Sequence, residues 1–190
     1  MRDDGRMAGR TLLILDLDET LVHATDAPLD RAHDFEVGPY VVYRRPGVDA
    51  FIRSMSIHFE LAVWTSSTRL YAESVVAELF PADITPSFVW SRERCMRRFN
   101  PDTHDFEWAK NLDKVKRRGY ALERVLIVDD TPKKLERHYG NLVRVKPFEG
   151  DPSDTELHGL IGYLPALADA ANVRRIEKRY WRKARMPGGA

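Results

Sequence analysis

An apolar run, Thr11-Leu12-Leu13-Ile14-Leu15, ends abruptly in two carboxylates one residue apart, Asp16 and Asp18. A run of that length bounded by polar residues reads as a buried strand, of the kind found in parallel sheets covered on both faces. The acidic pair then sits at the strand's carboxyl end, where open α/β sheets bind their ligands. If the chain stays extended there, alternation sends both side chains to the same side. Two such charges repel each other unless a cation or a shared proton relieves them. A divalent metal is the simplest relief. One aspartate that attacks and a second that moves a proton is the simplest use. The plainer alternative is that the pair caps the turn after the strand.

The same pattern recurs along the chain. Phe59-Glu60-Leu61-Ala62-Val63-Trp64 reads as a second strand and ends in the hydroxyl cluster Thr65-Ser66-Ser67-Thr68. Such a cluster either binds phosphate with the amides of the next helix or simply caps that helix. Arg124-Val125-Leu126-Ile127-Val128 reads as a buried strand and ends in Asp129-Asp130-Thr131-Pro132. Two strand-end acidic pairs side by side in a parallel sheet form an oxygen-ligand site suited to Mg²⁺. Lys110 lies between apolar Trp108 and Leu112, a setting that can aim it inward, although a lone lysine is usually a surface residue.

Between these landmarks the spacing predicts a helix through Val48, Phe51, Ile52 and Met55. A second runs from Arg69 to about Leu79, burying Leu70, Val75, Val76 and Leu79 with Tyr71 nearer the surface. Residues 23–34 read as loop. Phe35 to Tyr43 reads as a small hairpin turning at Gly38-Pro39, above the carboxyl edge of the first strand. Ser87 to Trp90 is a short strand. The basic run from Ser91 to Phe99 reads as a solvated face or a surface for an acidic partner, with turn material from Asn100 to His104. Cys95 reads as a semi-buried structural residue and His104 as inert. Thr131-Pro132 starts a helix with Leu135 and Tyr139. Leu142 to Val145 is an edge strand, and Ser153 to Glu156 resembles a capping box before a helix that Pro165 divides. A last amphipathic helix carries Val173, Ile176, Tyr180 and Trp181, with a basic opposite face. The expected architecture is α/β: a three-layer sandwich with a central, mostly parallel sheet and a small hairpin insertion, over residues 11–185, with loose tails at 1–10 and 186–190.

Composition narrows the class. The 190 residues suit one domain with a full core. The net charge of +1 gives no overall argument for a nucleic-acid or anionic-membrane partner. No apolar run is long enough to span a bilayer and no apolar signal segment opens the chain. Cys95 is the single cysteine, which suits a reducing, intracellular compartment. A monomer is expected.

Four groups in order, Asp16 with Asp18, Thr65, Lys110, and Asp129 with Asp130, resemble the four motifs of the haloacid dehalogenase (HAD) superfamily in its phosphatase form. Within it the chain resembles the RNA polymerase II C-terminal-domain (CTD) phosphatase branch, also called the NLI-interacting-factor branch. Asp16-Leu17-Asp18-Glu19-Thr20-Leu21-Val22-His23, Arg45-Pro46-Gly47-Val48, Val63-Trp64-Thr65-Ser66-Ser67, Arg92-Glu93-Arg94-Cys95, Val128-Asp129-Asp130-Thr131-Pro132 and Ser153-Asp154-Thr155-Glu156-Leu157 carry it. Val145-Lys146-Pro147-Phe148 and Lys178-Arg179-Tyr180-Trp181 are similar to the ubiquitin-like-domain members. The chain departs from the branch in two ways. Only the short Phe35–Tyr43 hairpin stands where compact members carry a longer insertion that helps hold a proline of the polymerase tail, which argues against specificity for that tail. The fourth motif reads Asp-Asp where the branch often has Asp-Asn.

The resemblance implies a HAD-like fold without a large cap and a Mg²⁺-dependent phosphomonoester hydrolase working through an aspartyl-phosphate. Asp16 is then the nucleophile and Asp18 the acid/base, with Thr65 and Lys110 on the phosphoryl oxygens. Asp16, Asp130 and the backbone carbonyl of Asp18 hold the metal, and Asp129 ligates through water or orients Lys110. An open site suits a phosphoserine or phosphothreonine on a protein or peptide. Alternatives are a phosphatase of a small metabolite or a nucleic-acid end, and a binding module without catalysis.

Overall fold

The computed structural model describes residues 9–100 and 104–183. At its centre are five parallel strands: β1 (Leu12–Leu15), β5 (Glu60–Trp64), β6 (Val89–Trp90), β9 (Val125–Asp129) and β10 (Leu142–Arg144). Their order is β10-β9-β1-β5-β6. β1 is therefore the middle strand, in register with β5 on one side (Leu15 opposite Val63) and with β9 on the other (Leu15 opposite Val128). The order reverses at β1, so its carboxyl end opens into the crevice where such sheets bind ligands.

Alternation along β1 explains the layers. Leu13 and Leu15 join a core with Phe51 and Ile52 of α1 (Val48–His58), Val75 and Leu79 of α2 (Arg69–Leu79), and Leu157 and Leu160 of α4 (Glu156–Tyr163). Leu12 and Ile14 face the other way, toward Trp64, Leu112, Val115 of α3 (Asp113–Lys116), and Leu135. The continuous apolar runs of β1 and β9 are thus explained by burial on both faces. No helix among the described residues is long and apolar enough to cross a membrane.

Two small sheets are added. β2 (Val22–Thr25), β3 (Phe35–Val37) and β4 (Tyr40–Arg44) form an antiparallel sheet in the order β2-β4-β3. The Gly38-Pro39 turn is where the alternation placed it, with Gly38 at φ 60°, as the first position of a tight hairpin favours. The start of the expected 23–34 loop is instead strand: His23 to Thr25 pair with β4. β7 (Met96–Asn100) and β8 (Asp105–Ala109) form a second hairpin. The basic run is one arm of it. Its mostly exposed residues carry no buried face to betray a strand.

Other expectations are corrected. Leu70 is exposed, because a helix starting at Arg69 turns Ala72, Val75 and Leu79 inward. Pro132–Asn141 is a run of 3₁₀ turns kinked at Leu135 and His138, with Leu135 buried and Tyr139 exposed. The cap of α4 lies later than expected: Thr155 precedes the helix, and the Asp154 carboxylate accepts from Glu156 N at 3.0 Å. Pro165 does divide this region, α4 giving way to a 3₁₀ turn over Leu164–Leu167. The expected last helix is two 3₁₀ turns, Val173–Arg175 and Trp181–Lys183. Lys178 Nζ occupies the carbonyls of Val173 and Ile176, which a continuous helix would use for its own amides. The tails lie outside the described residues apart from Gly9, Arg10 and, at the other end, nothing beyond Lys183. Pro101 to Thr103 of the expected turn lie outside them too.

Arg45 ties the insertion to the sheet. Its side chain is buried; it donates from Nε and Nη2 to Asp154 at 2.8 Å each, to Thr20 O at 3.0 Å and to Lys146 O at 2.9 Å. Removing it strands a carboxylate and two carbonyls in a largely dry setting. Arg45→Ala is expected to lower the unfolding free energy by about 3 kcal/mol or more in urea titrations. A loss below about 1 kcal/mol, the range of an exposed pair, would contradict this.

Candidate active site

The four groups singled out in the sequence converge at the carboxyl ends of β1, β5 and β9. Asp16 follows β1 by one residue, Asp129 ends β9, and Thr65 follows β5. Asp16 and Asp129 belong to the same alternation phase as Ile14 and Ile127, so both turn to the side where Lys110 enters. Lys110 follows β8 and is fully buried at its side chain. Its Nζ lies 2.6 Å from Asp129 Oδ2 and 3.0 Å from Asp16 Oδ2. The lysine that neighbouring apolar residues only hinted at is thus held between two carboxylates.

The backbone after β1 is tightly folded. Asp16 N donates to Val128 O at 3.0 Å, which locks the residue against β9. Asp16 Oδ1 accepts from Leu17 N at 2.9 Å, leaving Oδ2 for the lysines. Thr20, Leu21 and Val22 all donate their amides to Leu17 O, and Glu19 sits at φ 58°. The chain therefore does not remain extended. Asp18 leaves the side that simple alternation would give it and turns toward β5 and α2. There its carboxylate accepts from Thr65 Oγ1 at 3.2 Å, Ser67 Oγ at 2.6 Å and the Tyr71 hydroxyl at 2.5 Å.

The two aspartates thus occupy different environments. Burial alone would raise the Asp16 carboxyl, but the ammonium groups of Lys110 and Lys134 more than offset it and hold Asp16 well below the usual carboxylate range. Burial, and then the Asp16 charge, push Asp129 up to about 7 against the pull of the same lysines. Burial and the Asp18 charge push the Tyr71 hydroxyl far above its ordinary value, so it stays a donor. Asp18 lines an open cleft with Glu19, Tyr40, Ser67, Tyr71 and Arg92. Tyr40 of the small sheet packs edge-on against Tyr71 at 6.2 Å, which places the insertion over this cleft as its position in the chain implied.

Asp16, Asp129 and Asp130 bring carboxylate oxygens within 4.8 Å of one another. An all-oxygen set of this kind fits a hard cation such as Mg²⁺. The Asp18 side chain is outside that set, being engaged by three hydroxyls. Asp130 also accepts from Thr20 Oγ1 at 3.4 Å and Thr131 Oγ1 at 2.9 Å.

Sequence reasoning missed three contributors. The sequence places Ser67 only within a hydroxyl cluster and Tyr71 nearer the surface, yet both bond Asp18. Lys134 was not singled out, yet its Nζ lies 2.8 Å from Asp16 Oδ2. Tyr71 lies in the first turn of α2, directly after the hydroxyl cluster that ends β5. His104 is exposed, and Cys95 is buried with its Sγ 3.7 Å from Thr65 O.

Residues 11–174 match the family model described as NLI interacting factor-like phosphatase. The chain is 32% identical over 171 residues to the human carboxy-terminal domain RNA polymerase II polypeptide A small phosphatase 1, covering 86% of this chain and 62% of that protein. It is 30% identical over 185 residues to CTD nuclear envelope phosphatase 1 of Xenopus tropicalis, covering 90% of this chain and 72% of that protein. Among solved structures, a variant of the fission yeast RNA polymerase II CTD phosphatase Fcp1 bound to beryllium fluoride superposes with a TM-score of 0.55 at 25% identity. That match covers 74% of this chain and 42% of the other.

Proposed function

Because the chain belongs to the NLI interacting factor-like phosphatase family, we propose that it hydrolyses phosphomonoesters through a covalent phosphoryl-aspartate on Asp16. The observation that carries this reading is the division of labour between the two aspartates of one motif. Asp16 is buried and kept ionised by two ammonium groups, and Asp18 is oriented by three hydroxyls at an open cleft. Paired carboxylates set in unlike environments suit nucleophile and acid/base roles.

In the first step an oxygen of Asp16 attacks phosphorus, the ester P–O bond breaks, and Asp18 gives its proton to the departing oxygen. In the second step Asp18 takes a proton from water as that water attacks the same phosphorus. The bond from phosphorus to Asp16 breaks, which restores the carboxylate and releases phosphate. Lys110 neutralises charge on the phosphoryl oxygens, and Asp129 keeps its ammonium aimed at Asp16. Thr65 donates to Asp18 while accepting from Ser67 N at 3.0 Å, so it couples the acid/base to the start of α2. Asp16, Asp130 and the Asp18 carbonyl would hold a Mg²⁺ ion, which would relieve the repulsion between an anionic substrate and the carboxylates.

The open cleft supports a reading of the substrate class. The cleft at Asp18 is open to solvent, with Tyr40 of the small sheet in its lining. That geometry suits a phosphorylated serine or threonine side chain on a protein or peptide. The test is hydrolysis of p-nitrophenyl phosphate by the purified chain, followed by a panel of phosphopeptides and phosphorylated metabolites. Turnover with Mg²⁺ that disappears in EDTA and returns on adding Mg²⁺ is the expected result. Turnover indifferent to EDTA would refute the metal-assisted mechanism, and preference for small metabolites would refute the macromolecular substrate.

A further inference from the structure

Beyond helping to keep Asp16 ionised, Lys134 takes no step in the chemistry above. Its ammonium lies 2.8 Å from Asp16 Oδ2, 3.8 Å from Asp129 Oδ1 and 3.9 Å from Asp130 Oδ1. These are the three residues whose carboxylates form the acidic cluster. The Lys110 ammonium, by contrast, is clamped between Asp16 and Asp129 with its side chain wholly buried. Three carboxylates gathered in a dry setting demand positive charge. Lys110 and Lys134 provide it here.

The two lysines differ in what they are free to do. Lys134 rises from a 3₁₀ turn whose backbone is pinned, because Lys110 N donates to Lys134 O at 2.7 Å. Its side chain is 16% exposed and ends a flexible four-carbon stem. It borders a cleft lined by Ser66, Trp108 and Thr131, which offers room on the solvent side. Asp16 itself is buried. A second cation arriving at the cluster meets the Lys134 ammonium already on the oxygens it needs.

Resting on the reading of Asp16, Asp129 and Asp130 as a Mg²⁺ site, we propose that Lys134 is a built-in counter-ion. Its ammonium neutralises the acidic cluster in the metal-free protein and swings out toward that cleft when the divalent cation enters. Lys134 is thus a positioning residue that keeps the carboxylates gathered before loading. It also competes with the metal, so metal binding is weaker than the carboxylates alone would make it.

The test is calorimetric titration of the full chain with Mg²⁺, beside Lys134→Met, Lys134→Arg and Asp130→Ala, which removes the ligand oxygen altogether. Lys134→Met, unbranched and neutral, is expected to bind Mg²⁺ about tenfold more tightly or better, since no ammonium has to be displaced. Its melting temperature is expected to fall without metal and to recover at saturating Mg²⁺. Lys134→Arg retains the charge and is expected to stay near the wild-type affinity. Lys134→Gln serves as a second neutral variant if Met disturbs the packing. Unchanged or weaker binding in both neutral variants, with binding lost in Asp130→Ala, overturns the counter-ion and leaves the metal site standing. Binding that survives Asp130→Ala, or is absent from every variant, overturns the metal site and the counter-ion with it.

Discussion

Asp16→Asn is expected to lower turnover by about 10⁴-fold or more while the chain still folds. The amide is nearly isosteric, and its oxygen can still accept from Leu17 N, the bond that now fixes Oδ1. What disappears is the anionic oxygen facing Lys110 and Lys134. An amide oxygen is a poor nucleophile toward phosphorus, so the covalent route closes. Circular dichroism and a melting curve establish the fold, and steady-state hydrolysis of p-nitrophenyl phosphate with Mg²⁺ gives the rate. Acid-quenched enzyme exposed to ³²P-labelled substrate should carry label in the wild type and none in the variant. Substantial residual turnover in a folded Asp16→Asn would remove Asp16 as nucleophile.

Asp18→Asn is expected to slow both chemical steps, by roughly 10²- to 10⁴-fold. The three hydroxyls around Asp18 make the consequence specific. Thr65 and Ser67 donate to one carboxylate oxygen and Tyr71 to the other. An asparagine keeps one accepting oxygen and presents an NH₂ to the remaining partner, so either Tyr71 or the Thr65/Ser67 pair loses its acceptor. The loss should depend on the substrate. Nitrophenolate leaves without much help, whereas a serine alkoxide needs a proton as it departs. The first step should therefore suffer more with a phosphoserine peptide than with p-nitrophenyl phosphate. Equal losses on both substrates would confine Asp18 to the second step, and an unchanged rate would exclude it from acid/base work altogether.

These two predictions concern neighbours one residue apart, and they show where sequence reasoning reached its limit. The apolar run ending at Asp16 and the run ending at Asp129 identify two buried strands and place acidic pairs at their carboxyl ends. That inference needs only burial and periodicity. The structure bears it out, with β1 and β9 adjacent and parallel. The direction of Asp18 was not accessible in that way. Alternation sent it to the side of Asp16, but the turn closed by Leu17 O and the left-handed Glu19 sends it to α2 instead. Period-two reasoning holds only while the chain is extended.

The helices divide along the same line. Val48, Phe51, Ile52 and Met55 share one face and are all buried in α1. Leu70 fell on the wrong side because the first residue of α2 sets the phase of the rest. Val173, Ile176, Tyr180 and Trp181 have helical spacing, yet the segment breaks into 3₁₀ turns. Trp181 anchors through Nε1 to Arg144 O, and Lys178 occupies the local carbonyls. Those contacts lie far along the chain or depend on one long side chain, and no local pattern encodes them. The β7–β8 hairpin is the converse case: its pairing is local, but it lacks the one-sided apolar face that would announce a strand.

By itself the sequence determined the parallel sheet and the strand ends that carry the acidic groups, and its resemblance to a known family added Thr65 and Lys110 to Asp16, Asp18, Asp129 and Asp130 as the residues to watch. Burial and side-chain chemistry are written residue by residue, so those features survive translation into one dimension. Only the tertiary structure decided which charge faces which. It set Lys110 between Asp16 and Asp129, turned Asp18 to Ser67 and Tyr71, and brought Lys134 onto the acidic cluster. Electrostatic pairing falls off over a few ångströms, and distances on that scale between residues as far apart in the chain as Asp16 and Lys134 exist only once the sheet has formed.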